Sequence, residues 1–195
     1  MVRQPDYPFP FHLGHALTFP LDGFDVVHAS PPCKAHTGGA TLPRLGPYIQ
    51  CSMFDAHAVG DVLAATLDRL REWGDMTGGV WVVENVPGAR QVMPAESVTY
   101  CGSSFGLAVR RHRLFASNVP LTPPPCRHAE QGRAVGVFGH GGGRVKGQVI
   151  ARGEAAAVAL GIDHTAQQTG LSQAIPPAYT QHIGGQLLHA LKAAA

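Results

Sequence analysis

Phe24-Asp25-Val26-Val27-His28-Ala29-Ser30-Pro31-Pro32-Cys33 is the stretch from which the fold is read. Its apolar, β-branched centre suits a strand, and two prolines that cannot continue a hydrogen-bonded ladder end it. A cysteine then stands at the strand's carboxyl end, the edge of an open α/β sheet at which ligands bind. Burial as an inert small hydrophobe is the commoner fate of a cysteine, so Cys33 is a candidate nucleophile only if partners join it.

A second strand supplies the first partner. Gly79-Val80-Trp81-Val82-Val83-Glu84-Asn85-Val86-Pro87-Gly88 is an apolar run ending in a carboxylate. Desolvation there would raise the Glu84 pKa and let it hold a proton, whereas a solvated glutamate opening a turn before Pro87 is the plainer alternative. Between the two strands, from Ser52 to Trp73, Val59, Val62, Leu63, Leu67, Leu70 and Trp73 recur at threes and fours, the pattern of an amphipathic helix packed on a sheet. Thr66 falls on the stripe, where its hydroxyl can bond back to the preceding turn, and Gly74 with Thr77-Gly78-Gly79 provides the stop. Strand, helix, strand implies a right-handed crossover and parallel strands, with Cys33 and Glu84 at one edge.

Arg110-Arg111-His112-Arg113-Leu114-Phe115 supplies cations. In an extended segment Arg111 and Arg113 share one face and Arg110 and His112 the other. Two guanidiniums on one face suit a phosphate, a carboxylate or a base carbonyl, while a solvated surface cluster is the bland alternative.

Composition sets the bounds. At 195 residues the chain suits one domain with a small insertion, and 24 Gly and 16 Pro call for many fixed turns. A net charge of +2 does not imply nucleic acid by itself, so a DNA reading rests on local Arg and Lys. The widely spaced Cys33, Cys51, Cys101 and Cys126 form no Cys-x-x-Cys pair, which argues against a zinc module and fits a reducing cytoplasm. Cys126 and His128 near His140 make a metal site in that loop conceivable, but the usual ligand spacing is absent, and no metal is expected. No signal pattern or membrane-length apolar run occurs, so a soluble, intracellular protein is expected.

Pro31-Pro32-Cys33, Glu84-Asn85-Val86 and the stretch from Phe105 to Phe115, in this order, resemble the cytosine-C5 DNA methyltransferase family, particularly its short phage-type members. Leu171-Ser172-Gln173-Ala174-Ile175-Pro176-Pro177-Ala178-Tyr179 extends the resemblance, which covers most of the chain outside residues 119–165. It implies a Rossmann-like, mostly parallel sheet of the class I methyltransferase type, truncated at its N-terminus. Residues 1–118 would be the catalytic core, 119–165 a small Gly-rich target-recognition region, and 166–195 a C-terminal helix returning to the core with Tyr179, Ile183, Leu187, Leu188 and Leu191 on its buried side.

The resemblance also implies roles. Cys33 adds to carbon 6 of a cytosine flipped out of double-stranded DNA, Glu84 binds at N3, and Arg111 and Arg113 contact the base carbonyl and steady the loop. Pro32 and Asn85 belong to the base-handling side, with Asn85 holding the cysteine loop. The Gly/Thr/Pro-rich segment after Cys33 closes as a lid, and Arg144 and Lys146 follow phosphates. S-adenosylmethionine is the implied methyl donor, and the cytoplasm, a host's if phage-encoded, the implied location.

Departures fall on the cofactor side. The Phe-x-Gly-x-Gly turn and the acid-ended strand after it are missing, His15 stands where an acid is usual, Val109 and Lys34 replace glutamines, and Met1 begins where the second strand would have ended. A non-catalytic or cofactor-deficient homologue that binds DNA, or one completed by a partner chain carrying the cofactor half, is the alternative.

Overall fold

The computed structural model describes residues 9–33, 59–139, 147–165 and 167–194. Among them β1 (Val26–Ala29), α1 (Val59–Thr77) and β2 (Val80–Asn85) follow in order, and β1 pairs in parallel with β2, Val26 opposite Val80 and Ala29 opposite Val83. β2 is buried along its whole length, as its unbroken apolar run requires of a strand covered on both faces. β1 is only half-buried at the sheet edge.

β3 (Val98–Tyr100) and β4 (Arg113–Ser117) complete a four-stranded sheet of order β1-β2-β4-β3, with β4 antiparallel to both neighbours. β1, β2 and β3 therefore share a direction, yet only β1 and β2 pair in parallel. The sheet is thus mixed where a mostly parallel one is expected from the sequence. The reason is local: the link from β3 to β4 holds a 3-10 turn (Gly102–Phe105) instead of a helix, and a parallel pairing needs a longer crossover.

Side chains alternate along β2 and so feed two cores. Trp81 and Val83 meet Leu63, Leu67, Leu70 and Trp73 of α1. Val80 and Val82, with Tyr100 and Phe115, meet Tyr179, Ile183 and Leu187 of the C-terminal helix on the opposite face. Each large apolar side chain so buried contributes about 1.5–3 kcal/mol. Thr66 fits the α1 stripe by donating its hydroxyl to the Val62 carbonyl at 2.6 Å. Gly74 does not stop the helix but lies within it, where a Cβ would stand 3.0 Å from Trp81 Cδ1. The stop is Gly78, at φ +72°.

After β4 come α2 (His128–Gln131), β5 (Val135–Gly136), β6 (Val149–Ile150), α3 (Gly153–Leu160), α4 (Gln168–Gln173) and α5 (Pro177–Ala194). β5 and β6 pair in parallel, and Val109 bridges to Val135. α3 and α4 close a third apolar cluster around Val109, Val137, Leu160, Ile162 and Leu171. On α5 the stripe Tyr179, Ile183, Leu187 is buried and Leu191 partly so, but Leu188 is 58% exposed, a correction to the expected buried side. One residue further on an α-helix turns about 100°, which carries Leu188 off the stripe.

No helix among the described residues is long and apolar enough to cross a membrane.

Candidate active site at the carboxyl ends of β1 and β2

Because β1 and β2 are parallel, the residues that follow them share one edge of the sheet. Past β1 the chain passes through buried Pro31 and exposed Pro32 to a half-buried Cys33. Asn85, 1% exposed at the end of β2, donates from Nδ2 to the Pro31 carbonyl at 3.2 Å and accepts from the Val86 amide at 2.9 Å. One amide thereby ties the Cys33 loop to the turn that leaves β2.

Glu84 precedes Asn85 and is 6% exposed. Its Oε1 lies 3.0 Å from Arg113 Nε, at the start of the neighbouring antiparallel strand. Burial pushes the Glu84 carboxyl above its ordinary range, against the pull of Arg113, a hydrogen bond from Ser30 and the charge of Arg111. The ion-pair geometry and the upward shift point opposite ways, and desolvation, the largest contribution, prevails. Such a carboxyl is poised to hold a proton.

Arg111 reaches the same place by a route not anticipated from strand alternation. β4 begins only at Arg113, and Arg111 adopts φ +36°, a left-handed conformation. Its guanidinium donates to the carbonyls of Ala174 at 2.7 Å and Ser172 at 2.6 Å, with those of Leu171 and Val137 at 3.4 Å. Burial, with the nearby Arg113 cation, lowers its pKa to about 10, so it stays charged at neutral pH and acts on both Glu84 and Cys33. Arg110 and His112 turn the other way, and Arg110 Nε donates to Gln131 Oε1 at 3.3 Å. The Tyr179 hydroxyl of α5 secures the bend, lying 3.0 Å from the Arg111 carbonyl and 3.2 Å from that of Arg110.

A cavity of about 290 Å³ opens beside the arginines, lined by Arg111, Arg113, Gly136, Phe138, Gln148 and Ser172. Gln148 Oε1 is buried there with no hydrogen-bond partner. Nothing in the periodicity or composition singles out Gln148, because its place depends on β6 returning beside β5. A larger depression of about 360 Å³ lies at the far end of β4, around Ser117, Asn118 and Val119, away from these groups.

The structure thus brings together Cys33, Glu84, Asn85, Arg111 and Arg113. Arg144 and Lys146, the segment following Cys33 and His140 lie outside the described residues. The adenosyl group of S-adenosylmethionine has no cradle among the described residues: no strand precedes β1, and His15 Nδ1 accepts the Leu17 amide at 3.2 Å within a turn. Cys126 and His128 meet Cys101 and His112.

No protein-family model matches the chain. It is similar to a protein of Methanocaldococcus jannaschii named "Putative type II methyltransferase M.MjaORF1200P", with 29% identity over 112 aligned residues. The match takes in 51% of this chain and spans 29% of the length of that protein.

Proposed function

We propose that this chain performs the base-handling chemistry of a DNA cytosine-C5 methyltransferase. The observation that carries the reading is the buried Glu84–Arg113 contact at 3.0 Å beside the Cys33 loop that Asn85 tethers. The similarity to a protein named as a methyltransferase supports methyl transfer, and the order of the three motifs supports cytosine in double-stranded DNA.

Carbon 5 of cytosine is a weak nucleophile, and the assembled groups suit its activation. The Cys33 thiolate adds to carbon 6, its electron pair forming the S–C bond while the carbon 5–carbon 6 pair shifts into the ring. Glu84, whose carboxyl burial shifts toward holding a proton, donates to N3 and neutralises the negative charge that builds as sulfur adds. Arg113, held beside Glu84, is the proposed donor to the carbonyl oxygen of the base. Arg111, largely committed to backbone carbonyls, is a positioning residue and a fixed positive charge beside Cys33. Carbon 5 becomes an enamine carbon able to take an electrophile; a base then removes its proton and Cys33 leaves. The donor implied by the motif resemblance is S-adenosylmethionine, to which no described residue is assigned. Pro32, Arg144 and Lys146 are proposed to contact the DNA around the extruded base.

Activation at carbon 6 is detectable without a methyl donor, because the enamine exchanges its carbon 5 hydrogen with solvent. With mixed-sequence duplex DNA in deuterated water, wild type should place deuterium at cytosine carbon 5 and Cys33→Ala should not. Equal incorporation by both proteins would sink the reading.

One observation favours a second reading, in which the cofactor half lies in further chain or in a partner. β1 has a neighbour on one side only among the described residues, the position at which a strand from further chain or from a partner would add. Exchange at carbon 5 without methyl transfer, restored to methylation by a supplied subunit, would distinguish it.

A further inference from the structure

We infer that Cys101, His112, Cys126 and His128 form a structural zinc site. The four come from three separate segments: Cys101 directly follows β3, His112 directly precedes β4, and Cys126 and His128 sit where a proline-rich arm enters α2. Each offers one ligand atom, and all four atoms lie within 4.8 Å of one another. Cys101 Sγ is 3.1 Å from His128 Nε2, and Cys126 Sγ is 3.7 Å from His112 Nε2.

These separations are close to those between ligands of one metal ion, the Cys126–His112 pair falling within that range and the Cys101–His128 pair slightly inside it. Zinc bonds of about 2.0–2.3 Å in a tetrahedron place sulfur and nitrogen ligands roughly 3.3–3.8 Å apart, so only a slight adjustment of the cluster is needed. Thiols are weak donors and gain little from two imidazoles, whereas two sulfurs and two nitrogens converging on one point select zinc among the common divalent ions. Four protein ligands close the coordination sphere, which makes the site structural and leaves no position for substrate.

Surrounding contacts support the arrangement. Ser103 Oγ lies 3.1 Å from Cys101 Sγ and accepts the Arg127 amide at 3.0 Å, so one hydroxyl can steady a thiolate while holding the chain between Cys126 and His128. Gln131 Nε2 donates to the carbonyls of Leu107 and Val109 at 2.8 and 2.9 Å, which seats α2 over the same loop. The ligands are not in a zinc-finger spacing, because the fold and not the local sequence brings them together.

The site also bears on the arginines. His112 stands between Arg111 and Arg113, so a metal held by its ring would fix the backbone from which both guanidiniums project. The inference itself does not depend on the proposed reaction.

The test uses the full chain, purified without a histidine tag under anaerobic, reducing conditions. Elemental analysis should find about one zinc per chain, and replacement by cobalt should give the visible bands and thiolate charge-transfer absorption of a tetrahedral site. Cys126→Ser, at an exposed ligand position, should weaken zinc retention against a chelator while circular dichroism stays native, and Cys101→Ser with Cys126→Ser should abolish binding. Cys33→Ser should retain zinc in full. Wild type that takes up neither zinc nor cobalt, zinc content unchanged in the double variant, or Cys101 and Cys126 recovered as a metal-free disulfide would each overturn the assignment.

Discussion

Glu84 and Arg113 form an ion pair whose side chains are only 8% and 15% exposed, and the other charged pairs among the described residues each include at least one exposed partner. Removing one member of such a pair leaves the other charge buried and uncompensated, at about 3–5 kcal/mol. Arg113→Ala should therefore destabilise the protein by roughly that amount at neutral pH. The loss should shrink in acid, where Glu84 can be neutral. Urea unfolding at about pH 5 and about pH 8 checks this, and equal losses at the two values would deny the pairing.

The upward shift at Glu84 has its own pH signature. A carboxyl whose pKa is raised in the folded state binds its proton more tightly there than in the unfolded chain, so its contribution to stability falls as pH rises from about 4.5 through the folded value. Glu84→Gln should remove that slope. In deuterium exchange at carbon 5 the wild-type rate should decline on the alkaline side, where the proton on Glu84 is lost. The glutamine variant should be slower by about 10²–10⁴-fold while still binding DNA. An alkaline limb that persists in Glu84→Gln would assign it to another group.

Asn85→Ala deletes both the tether to Pro31 and the acceptor for the Val86 amide. Unfolding measurements should show a loss of about 1–3 kcal/mol. The sharper readout is Cys33 itself: with its loop released, iodoacetamide should alkylate it faster than in wild type. Unchanged kinetics, followed by peptide mass spectrometry, would mean that Asn85 does not hold the loop.

Tyr179→Phe keeps the ring that packs against Tyr100 and Phe105 and removes only the hydroxyl that meets the Arg110 and Arg111 carbonyls. The cost in stability should be modest, about 0.5–1.5 kcal/mol. Carbon 5 exchange should suffer more than that implies, since the left-handed bend at Arg111 loses its support. A variant with full exchange activity would show the bend to be set by the carbonyls of Ser172 and Ala174 alone.

Local patterns in the sequence reach a definite distance into this structure. Apolar, β-branched runs place β1 and β2, a spacing of three to four places α1 and the buried stripe of α5, and the α1 stripe even foresees the backbonding of Thr66 to Val62. These patterns also put Cys33 and Glu84 at one sheet edge. They miss what depends on residues distant in sequence. The insertion of β4 between β2 and β3 follows from which strands find each other, and the bend at Arg111 follows from carbonyls some 60 residues later. Gln148 was illegible for the same reason, and of the Cys101–His112–Cys126–His128 cluster only Cys126 and His128 stood out locally, because Cys101 and His112 come from distant segments.

The short parallel pairing of β5 with β6 has a consequence for how such a protein diversifies. Val135 against Val149 and Gly136 against Ile150 hold the chain together on either side of residues 137–148. Doubling the length of a flexible loop costs only about 0.6 kcal/mol in closure, far less than disturbing the buried strands. Under the proposed function, substitutions or insertions at that one place would alter what is contacted there while the thiol, the carboxyl and the guanidiniums keep their positions.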